Sequence, residues 1–563
     1  ETPPLPTGPV STLETPPLTA EPEPTSVPKR ASMEDAFQGR LNRSERVTRG
    51  IHSRHEAHTA TASDDIPKSL AEAMAKPHWR RAVEAELGSL TANHTFEETV
   101  ENGGAHVVGS RFVFRIKRGP SGDILKYKAR LVAKGFTQLA GQDFEDTYAP
   151  VVSYDTLRTL LSVAASKGWS VRQLDVETAF LQGELDCEIA VSPPKGLRPA
   201  GTIWRLKKAL YGLKQSPRCW NAKLHTALCD MGFSRSPCDA CLYHKDQLHI
   251  AVYVDDILVC GPPKDIGGVI SDLKSRFTIT DSGEVSWLLG MSVKRTAEYF
   301  ELSQSQFVIN LLSDLGAQYL TPVSTPTDPR AKDPPKAKEL STEATSKYRS
   351  AIGSLMYLVR CTRPDLASAV STLSRNVASP TTADESRLKR VLQYLRYTTF
   401  MKLRIGGAGP IIGHCDSNMG DKDTKYKATY GFTFSLGHGA VLWKSKLQRS
   451  VSLTTMDAEY FALSEAARHA SWLREVVREL TGTATAAPLI KCDNTAAIQI
   501  AHNPIDTERS RHIERRLHFV RDLLSQKSLQ LVYVKSADNV ADVLTKGLPR
   551  VPHNDCVRGL GLE

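Results

Sequence analysis

The sequence predicts a multidomain chain that combines α+β and α/β architecture. Its 563 residues leave room for about three or four domains of roughly 100–200 residues each. Hydrophobic residues make up 40% of the chain and charged residues 24%, a balance that supports ordinary cores and excludes a wholly disordered protein. From residue 71 to about residue 550, stretches with helical spacing alternate with stretches of strand-like alternation.

Composition divides the chain into six segments. Residues 1–65 are rich in Pro and Thr and predict a disordered tail, with a docking tail as the alternative. The other predicted segments are a mixed helix and strand region at 71–320, a linker at 321–346, a helical connection at 347–405, an α/β unit at 406–550 and a C-terminal tail at 551–563. Because the chain begins with Glu1 rather than Met, we expect a piece of a longer product.

The first globular elements have clear local patterns. Trp79, Val83, Leu87 and Leu90 recur at helical spacing. The alternation that follows predicts strands at 109–117 and 127–133, on either side of a turn at 119–123 that contains Gly and Pro.

Charge and cysteine content constrain partners and compartment. The net charge of +10 fits a polyanionic partner, and simple solubility explains it equally well. No apolar run approaches the roughly 18 residues of a membrane span, and the N-terminus lacks the apolar stretch of a signal peptide. Ten scattered cysteines fit a reducing compartment. Cys238 and Cys241 form a C-x-x-C pair near His244, but a zinc site would need further ligands, so two half-buried thiols are the simpler interpretation.

Two adjacent carboxylates interrupt an apolar strand pattern. Asp255 and Asp256 lie between the runs 248–254 and 257–261, which predicts a hairpin with both carboxylates at its tip. An ordinary Asp-containing turn is the alternative, although the usual Asn-Gly or Asp-Gly pair is absent. Asp175 ends another strand pattern, and together with Asp255 it could hold two divalent cations about 3.5–4 Å apart.

A second group of carboxylates is spaced through the predicted α/β unit. Asp416 ends an apolar stretch, and Glu459 lies near the start of a helix, on the face that carries Leu463, Ala466, Ala470, Leu473 and Val477. Asp493 follows a short strand, and Asp542 precedes Val-Leu-Thr-Lys. Helix capping is an alternative for Asp493 and for Asp542.

Several blocks, in order, resemble the polyproteins of copia-type LTR retrotransposons. Tyr253-Val-Asp-Asp256 is similar to the signature of reverse transcriptases. The other resembling blocks are residues 126–138, 173–183, 209–220, 348–357 and 362–365. The resemblance covers about residues 75–550, and it is the ordered set of blocks that makes it specific.

The resemblance implies a right-hand polymerase with fingers, palm and thumb, followed by a helical connection. Asp175, Asp255 and Asp256 match the three palm aspartates, and the first two match the metal ligands. Phe180 stands at the position of a steric gate against the ribose 2′-OH, with core packing as the alternative. The resemblance also implies that the triphosphate is bound by Lys126, Lys128, Arg130 and Lys134, for which a solvated charged face is the alternative. It places Tyr211, Gly212 and Lys214 in the nucleotide pocket and Gly290 at the primer.

The order of the later carboxylates resembles that of ribonuclease H. Asp416, Glu459, Asp493 and Asp542 match its four acidic residues, which bind two Mg²⁺. The sequence departs from the family in two places: Ser417-Asn-Met-Gly replaces a second Asp and a Trp, and Met-Asp precedes Ala-Glu459. No His stands just before Asp542. The basic residues Arg509, Arg511 and Arg515 could follow the phosphates of a hybrid, with a solvated face as the alternative.

The resemblance therefore predicts an RNA-directed and DNA-templated DNA polymerase fused to a ribonuclease that is specific for RNA–DNA hybrids. The expected cofactor is Mg²⁺, two ions per active site, with Mn²⁺ able to substitute. The expected partners are an RNA template, an RNA–DNA hybrid, a primer such as a tRNA, dNTPs and the other products of the polyprotein, with no membrane. By resemblance the location is a cytoplasmic virus-like particle with a nuclear phase.

Two other interpretations of the sequence are a catalytically inactive copy and an unrelated nuclease. A decayed or domesticated copy would bind nucleic acid without catalysis, but all seven carboxylates are present. An unrelated two-metal nuclease would leave the blocks at 126–138 and 209–220 unexplained.

Overall fold

The computed structural model contains four β-sheets within the described residues. The structure describes residues 66–100, 106–118, 124–330, 337–407, 409–422, 424–503 and 514–563. All of them belong to one contact-defined unit, Gly50–Glu563. The predicted disordered tail at 1–65 lies outside the described residues. Within the described ranges, no helix has the length and apolar character to span a bilayer.

The strands in chain order are β1 (Phe96–Val100), β2 (Val107–Arg118), β3 (Ile124–Ala133), β4 (Ser170–Val176), β5 (Glu184–Ser192), β6 (Thr202–Lys208), β7 (Ser234–Arg235), β8 (Leu242–Lys245), β9 (Leu248–Tyr253), β10 (Asp256–Gly261), β11 (Ile279–Glu284), β12 (Trp287–Leu288), β13 (Met291–Arg295), β14 (Tyr299–Ser303), β15 (Leu403–Gly406), β16 (Ile411–Asn418), β17 (Thr429–Leu436), β18 (Ala440–Leu447), β19 (Leu489–Cys492) and β20 (Gln530–Tyr533). The helices are α1 (Leu70–Ala75), α2 (Pro77–Ala92), α3 (Tyr154–Lys167), α4 (Ala179–Gln182), α5 (Ser216–Asp230), α6 (Pro263–Arg276), α7 (Ser305–Asp314), α8 (Thr342–Cys361), α9 (Ala367–Arg375), α10 (Thr382–Tyr397), α11 (Thr455–Thr481), α12 (Thr495–His502), α13 (Glu514–Ser525) and α14 (Arg550–Gly559).

The N-terminal sheet has the strand order β1-β6-β5-β2-β3. Its longest pair, β2 and β3, is antiparallel and contains the two predicted strands; the predicted turn at 119–123 lies outside the described residues. Helix α2 begins at Pro77, a position at which the missing N–H costs nothing. It buries Trp79 against Phe114 and Tyr127, at ring-centroid distances of 5.4 and 5.0 Å. The predicted helix and both predicted strands are confirmed.

The central sheet, in the order β11-β4-β10-β9-β8-β7, contains the predicted acidic hairpin. Strands β9 and β10 are antiparallel neighbours, and both are largely buried. Strand β4 lies on the other side of β10, so that Asp175 pairs directly with Asp256. Helices α3 and α6 pack against this sheet. Cys241 is buried beside it, Cys238 is half-buried, and all ten cysteines are free thiols.

A third sheet joins the middle of the chain to its later part. Its order is β12-β13-β14-β15, and Phe300 of β14 pairs with Ile405 of β15. Strand β15 therefore crosses the predicted boundary at 405/406, because backbone hydrogen bonds tie it to a partner about 100 residues earlier. Helices α8, α9 and α10 form the predicted helical connection. Helix α8 begins within the predicted linker, where the hydroxyl of Ser341 accepts a hydrogen bond from the N–H of Ala344.

The block at 362–365 has a structural explanation. Arg363 and Asp365 form a buried ion pair with an N–O distance of 2.7 Å. The Tyr394 hydroxyl donates to Asp365 over 2.8 Å and lies 3.1 Å from Nε2 of His553. This network joins helix α10 to the C-terminal helix α14, and its hydrogen bonds offset the cost of burying the charges.

The C-terminal sheet has the order β18-β17-β16-β19-β20. Strands β16, β17 and β18 are antiparallel, whereas β16, β19 and β20 are parallel. Helix α11 packs on β16 and begins with a capping box formed by Thr454 and Asp457. The predicted apolar face of this helix is buried, from Glu459 to Val477.

The predicted C-terminal tail at 551–563 is wrong, because these residues are packed. Helix α14 covers most of them, and Leu560 and Leu562 are buried. The backbone groups of Lys402 and Glu563 exchange two hydrogen bonds of 2.7 and 3.0 Å. The segment is too short for its pattern to predict a helix, and tertiary pairing stabilises it instead.

One buried arginine joins the central sheet, the helical connection and the C-terminal sheet. Arg158 of α3 is 2% exposed. Its guanidinium donates to the carbonyl of Val441 over 2.8 Å and to the carbonyls of Arg360 and Cys361 over 2.8 and 3.0 Å. It also pairs with Asp155 and lies 3.9 Å from the ring centroid of Trp443. The acidic segments at 175–256 and at 416–542 are therefore parts of one packed body.

Replacement of Arg158 by Ala should lower the free energy of unfolding by about 3–5 kcal/mol, because the carbonyls of Val441 and Cys361 would stay buried without a donor. The half-buried Asp155 would keep its ion pair with Lys444. The measurement is chemical unfolding of the full chain. Arg198→Ala is the matched control, since Arg198 pairs with Glu98 at the surface and such pairs contribute about 0–1 kcal/mol. Equal losses in the two variants would contradict the role given to Arg158.

Candidate active sites

The first site is built on a strained two-residue turn. Tyr253 pairs with Asp256, which leaves Val254 and Asp255 as the turn between β9 and β10. Val254 has φ of +60°, a left-handed conformation that is uncommon for a β-branched residue. Nε1 of Trp220 donates to the Val254 carbonyl over 2.7 Å and supports this conformation. Backbone strain of this kind often accompanies function.

The three predicted aspartates meet at this turn. Asp256 is the register partner of Asp175, and the N–H of Val176 donates to the carbonyl of Asp255 over 3.0 Å. Burial and the neighbouring Asp255 raise the pKa of Asp256 to about 6, while Nε2 of Gln173 donates to it over 3.0 Å. Partial desolvation and the neighbouring Asp255 also raise the pKa of Asp175, which is exposed at the end of β4. Because these carboxylates repel one another, a divalent cation would stabilise them. Among the described residues, however, their oxygens do not all lie within 4.8 Å of one another, as those of three carboxylates in the second site do.

Cationic and aromatic side chains from other elements face the aspartates. Lys128 of β3 lies in the electrostatic field of Asp175 and Asp255, and burial together with the charge of Arg130 lowers its pKa. The Arg130 guanidinium lies 4.7 Å from the ring centroid of Tyr211. The Tyr211 ring in turn meets the ring of Phe180 edge to face at 5.2 Å. Burial raises the pKa of Tyr211 to about 12, so its hydroxyl stays protonated at neutral pH.

Two further residues of the predicted nucleotide pocket have structural contacts. Gly212 has φ of +91°, and a Cβ atom there would lie 2.2 Å from the carbonyl oxygen of Ala133. Its lack of a side chain lets the loop approach the end of β3. The Lys214 ammonium donates to the carbonyl of Gln138 over 3.1 Å and lies 4.5 Å from the Phe144 ring. These contacts hold two loops together, and a role in nucleotide binding stays a prediction.

Gly290, which was predicted to contact the primer, is required by packing. Leu289 and Gly290 both have positive φ in the turn between β12 and β13. A Cβ atom at Gly290 would lie 2.1 Å from the Tyr357 hydroxyl, which donates to the Leu289 carbonyl. Trp287, in the same hairpin, is 51% exposed. A primer contact at Gly290 stays a prediction.

The second site collects all four predicted carboxylates. Ligand oxygens of Asp416, Asp493 and Asp542 lie within 4.8 Å of one another. Glu459, Cys492 and Asp493 form a second group that meets the same limit. Asp493 belongs to both groups, so the structure offers two adjoining cation positions that share one carboxylate.

The capping alternatives are wrong for both aspartates. Asn494, not Asp493, caps α12 and accepts from the N–H of Ala497 over 2.9 Å. Asp542 lies within a 3₁₀ helix, Val540–Leu544, that is capped by Asn539. The N-cap residue of α14 is Pro549, without a side-chain hydrogen bond. Neither aspartate has a local structural role of this kind.

Because the carboxylates of this site are buried and close together, their ionised forms are unfavourable without a cation. Burial and Asp416 raise the pKa of Glu459 to about 10. Glu459 Oε1 accepts from the N–H of Ser417 over 3.2 Å, whereas its buried Oε2 has no hydrogen-bond partner among the described residues. Burial also raises the pKa of Asp416, and burial with Asp416 raises that of Asp542 to about 7. The donor set therefore fits hard divalent cations, whose charge would stabilise the ionised carboxylates.

Lys546 is a part of this site that the sequence analysis did not identify. Its Nζ lies 3.1 Å from Oδ1 of Asp542 and 3.7 Å from Oδ1 of Asp416. The hydroxyl of Thr545 also donates to Asp416. The spacing of four residues between Asp542 and Lys546 was a usable signal, because such residues lie on one face of a helical turn.

The predicted nucleic-acid contacts of the C-terminal region are only partly described. Arg509 and Arg511 lie outside the described residues. Arg515 is exposed on α13. Its neighbour Arg516 pairs with Glu465 over 3.2 Å and lies 3.8 Å from the Phe461 ring centroid, so its charge serves packing against α11.

Comparison with known proteins places the region of the first site in a family. Residues 93–329 match the family described as reverse transcriptase (RNA-dependent DNA polymerase). Among solved structures, the foamy viral protease–reverse transcriptase in complex with double-stranded DNA gives a TM-score of 0.46 at 11% identity, covering 92% of this chain and 84% of that chain. That likeness is too low to define the fold.

Curated relatives extend over most of the chain. The retrovirus-related Pol polyprotein from transposon TNT 1-94 of Nicotiana tabacum is 36% identical over 547 residues, which are 93% of this chain and 41% of the relative. The Pol polyprotein from transposon RE1 of Arabidopsis thaliana is 35% identical and covers 89% of this chain and 35% of the relative. The chain thus spans less than half the length of these relatives.

A shorter relative is matched almost completely. A Ty5-1 transposon protein of Saccharomyces cerevisiae is 31% identical over 315 residues, which are 52% of this chain and 98% of that protein. The predicted resemblance is thereby confirmed, and this chain belongs to the reverse transcriptase family, as part of a copia-type retrotransposon Pol polyprotein.

Proposed function

We propose that this chain copies retrotransposon RNA into DNA at the first site and hydrolyses the RNA strand of the resulting hybrid at the second. The observation that carries the proposal is the meeting of Asp175, Asp255 and Asp256 at a strained hairpin turn inside the region that matches reverse transcriptases. The N-terminal and central sheets would then be fingers and palm, the third sheet and α7 the thumb, and α8–α10 the connection. The C-terminal sheet would be the ribonuclease H-like domain.

In the first site, different residues would have different roles in nucleotide addition. Lys128 and Arg130 supply the positive charge that a triphosphate requires. The Phe180 ring, which contacts Tyr211 edge to face, would block space beside the sugar. Gln173 orients Asp256. Two Mg²⁺ ions per site, or Mn²⁺ in their place, would activate the attacking oxygen and stabilise the leaving oxygen.

The second site supports hydrolysis of a phosphodiester. Asp416, Glu459, Asp493 and Asp542 would hold the two cations there. Lys546 occupies part of the same space and balances the negative charge of Asp416 and Asp542. Expected partners are the RNA template, a primer such as a tRNA, dNTPs, the hybrid and other polyprotein products. The proposed setting is a cytoplasmic particle with a nuclear phase.

Two substitutions should separate the activities. Asp255→Asn should abolish primer extension on an RNA template, and Glu459→Gln should abolish cleavage of the RNA strand in a hybrid. Each variant loses one ligand charge. We therefore expect the affected activity to fall by more than about 100-fold, which is the upper range for mutating a residue that only supports a metal ligand. Both activities are measured on the same preparations, with Asp265→Asn and Glu475→Gln as controls.

The pattern of losses is diagnostic. Glu475 lies on the same helix as Glu459 but pairs only with Arg478 in the described structure, and Asp265 is exposed. Wild-type protein without either activity would support a decayed copy that only binds nucleic acid. Parallel loss of both activities in each variant would indicate unfolding rather than two sites.

Phe180→Val should admit ribonucleotides while deoxynucleotide incorporation survives. The valine side chain removes the ring that lies beside Tyr211 and would meet a 2′-OH. The measurement is the ratio of rNTP to dNTP incorporation. Phe180→Tyr keeps the ring and should keep the wild-type ratio; an unchanged ratio in the valine variant would make Phe180 a packing residue.

Lys546→Gln should lower the Mg²⁺ concentration at half-maximal hybrid cleavage by at least about tenfold, because a unit charge about 4 Å from a cation repels it strongly in a partly buried site. Mg²⁺ should also raise the melting temperature more in this variant than in wild type. Lys535→Gln removes an exposed charge and controls for net charge. An unchanged Mg²⁺ requirement would show that Lys546 leaves the cation position free.

A further inference from the structure

The second site contains a thiol that hydrolysis does not need. Cys492 ends β19, directly before Asp493, and is fully buried. Its Sγ lies within 4.8 Å of a carboxylate oxygen of Glu459 and of Asp493. Mg²⁺ takes oxygen ligands and gains nothing from sulfur. The position formed by Glu459, Cys492 and Asp493 thus differs chemically from the all-carboxylate position formed by Asp416, Asp493 and Asp542.

An unpartnered buried oxygen marks the same position. Glu459 is 8% exposed, and its Oε2 lacks a hydrogen-bond partner among the described residues. A buried acceptor in this state is costly. A cation between the Glu459 carboxylate and the Cys492 sulfur would remove that cost. Asp493 is half-buried and belongs to both groups, so it provides the side from which an ion can enter.

A thiolate with two carboxylates selects a particular class of ion. Soft sulfur ligands favour Zn²⁺ and Cd²⁺ over Mg²⁺, and mixed sulfur and oxygen sets are common for Zn²⁺. We propose that Glu459, Cys492 and Asp493 form a binding position for a thiophilic divalent cation, of the class of Zn²⁺ or Cd²⁺. On binding, the S–H proton of Cys492 leaves to solvent and the thiolate coordinates the ion.

Occupation of this position regulates the proposed hydrolysis. Glu459 and Asp493 cannot coordinate a thiophilic ion and the Mg²⁺ pair at the same time. Zn²⁺ therefore inhibits hybrid cleavage at micromolar excess over the chain, while primer extension at the distant hairpin is spared in the same preparation. This consequence rests on the proposed ribonuclease function, whereas the binding itself does not.

The neighbouring strand offers a matched control. Cys415 of β16 is the register partner of Cys492 and is also fully buried. Its Sγ donates to the carbonyl of Lys491 at 3.8 Å and its thiol contacts that of Cys492, but it is not a member of the ligand group. Cys415→Ala and Cys492→Ala therefore remove the same atoms from adjacent sites of one core, and each removes the contact between the two thiols. The melting temperatures of both variants are measured to exclude unfolding.

The test is a titration of the reduced full chain with Cd²⁺ at saturating Mg²⁺. Binding is monitored through the ultraviolet absorption of the cadmium–thiolate bond. Cys229 is exposed near His225, so all proteins carry Cys229→Ala to remove its contribution. We expect one Cd²⁺ per chain with a thiolate band in the parent and in Cys415→Ala, and loss of that band in Cys492→Ala. Glu459→Gln should weaken Cd²⁺ binding by at least about tenfold.

The outcomes are distinct. A band that persists in Cys492→Ala, or that disappears only in Cys415→Ala, overturns the proposal. A band that behaves as expected in protein without hybrid cleavage leaves the cation position established and refutes the ribonuclease assignment. With cleavage present, Zn²⁺ should inhibit the parent at a concentration at least about tenfold lower than it inhibits Cys492→Ala. Equal Zn²⁺ sensitivity would overturn the regulatory consequence.

Discussion

The buried guanidinium of Arg158 is the interaction on which the arrangement of the chain depends. A guanidinium cannot lose its proton at any physiological pH, so its burial requires partners in fixed positions. Those partners are carbonyls at the end of α8 and in β18, the carboxylate of Asp155 and the face of Trp443. Because they come from three regions of the chain, the central sheet, the connection and the C-terminal sheet must assemble together.

This shared core gives two acidic sites a rigid support while their chemistry differs. At the hairpin, the aspartates lie at strand ends, and part of the constraint is backbone strain at Val254. In the C-terminal sheet, the carboxylates are more deeply buried, and Lys546 balances their charge. The first site opens toward cationic side chains of the neighbouring sheet, which suits a large anionic substrate. At the second site, the ligands form two groups that share Asp493.

The mistakes of sequence-based prediction have a common physical cause. The tail at 551–563 and the boundary at 405/406 were misjudged because β15 and α14 are stabilised by partners far away in the chain. Capping was a reasonable alternative for Asp493 and Asp542, but Asn494 caps α12 and Pro549 precedes α14. The contact with Tyr357 explains the need for glycine at position 290, and the primer contact there stays a prediction.

The sequence by itself determined the types of element, the family and the seven carboxylates. Periodicity reports which face of a helix or strand is buried, and motif spacing reports local turns, so α2, the hairpin of β9 and β10 and the apolar face of α11 could be predicted. Only the tertiary structure decided which groups share a site. Lys546 beside Asp416, Cys492 beside Glu459 and Arg158 beneath Trp443 are meetings of side chains that depend on strand order and packing. No local pattern encodes them, because the residues are brought together by a core that forms from the whole chain.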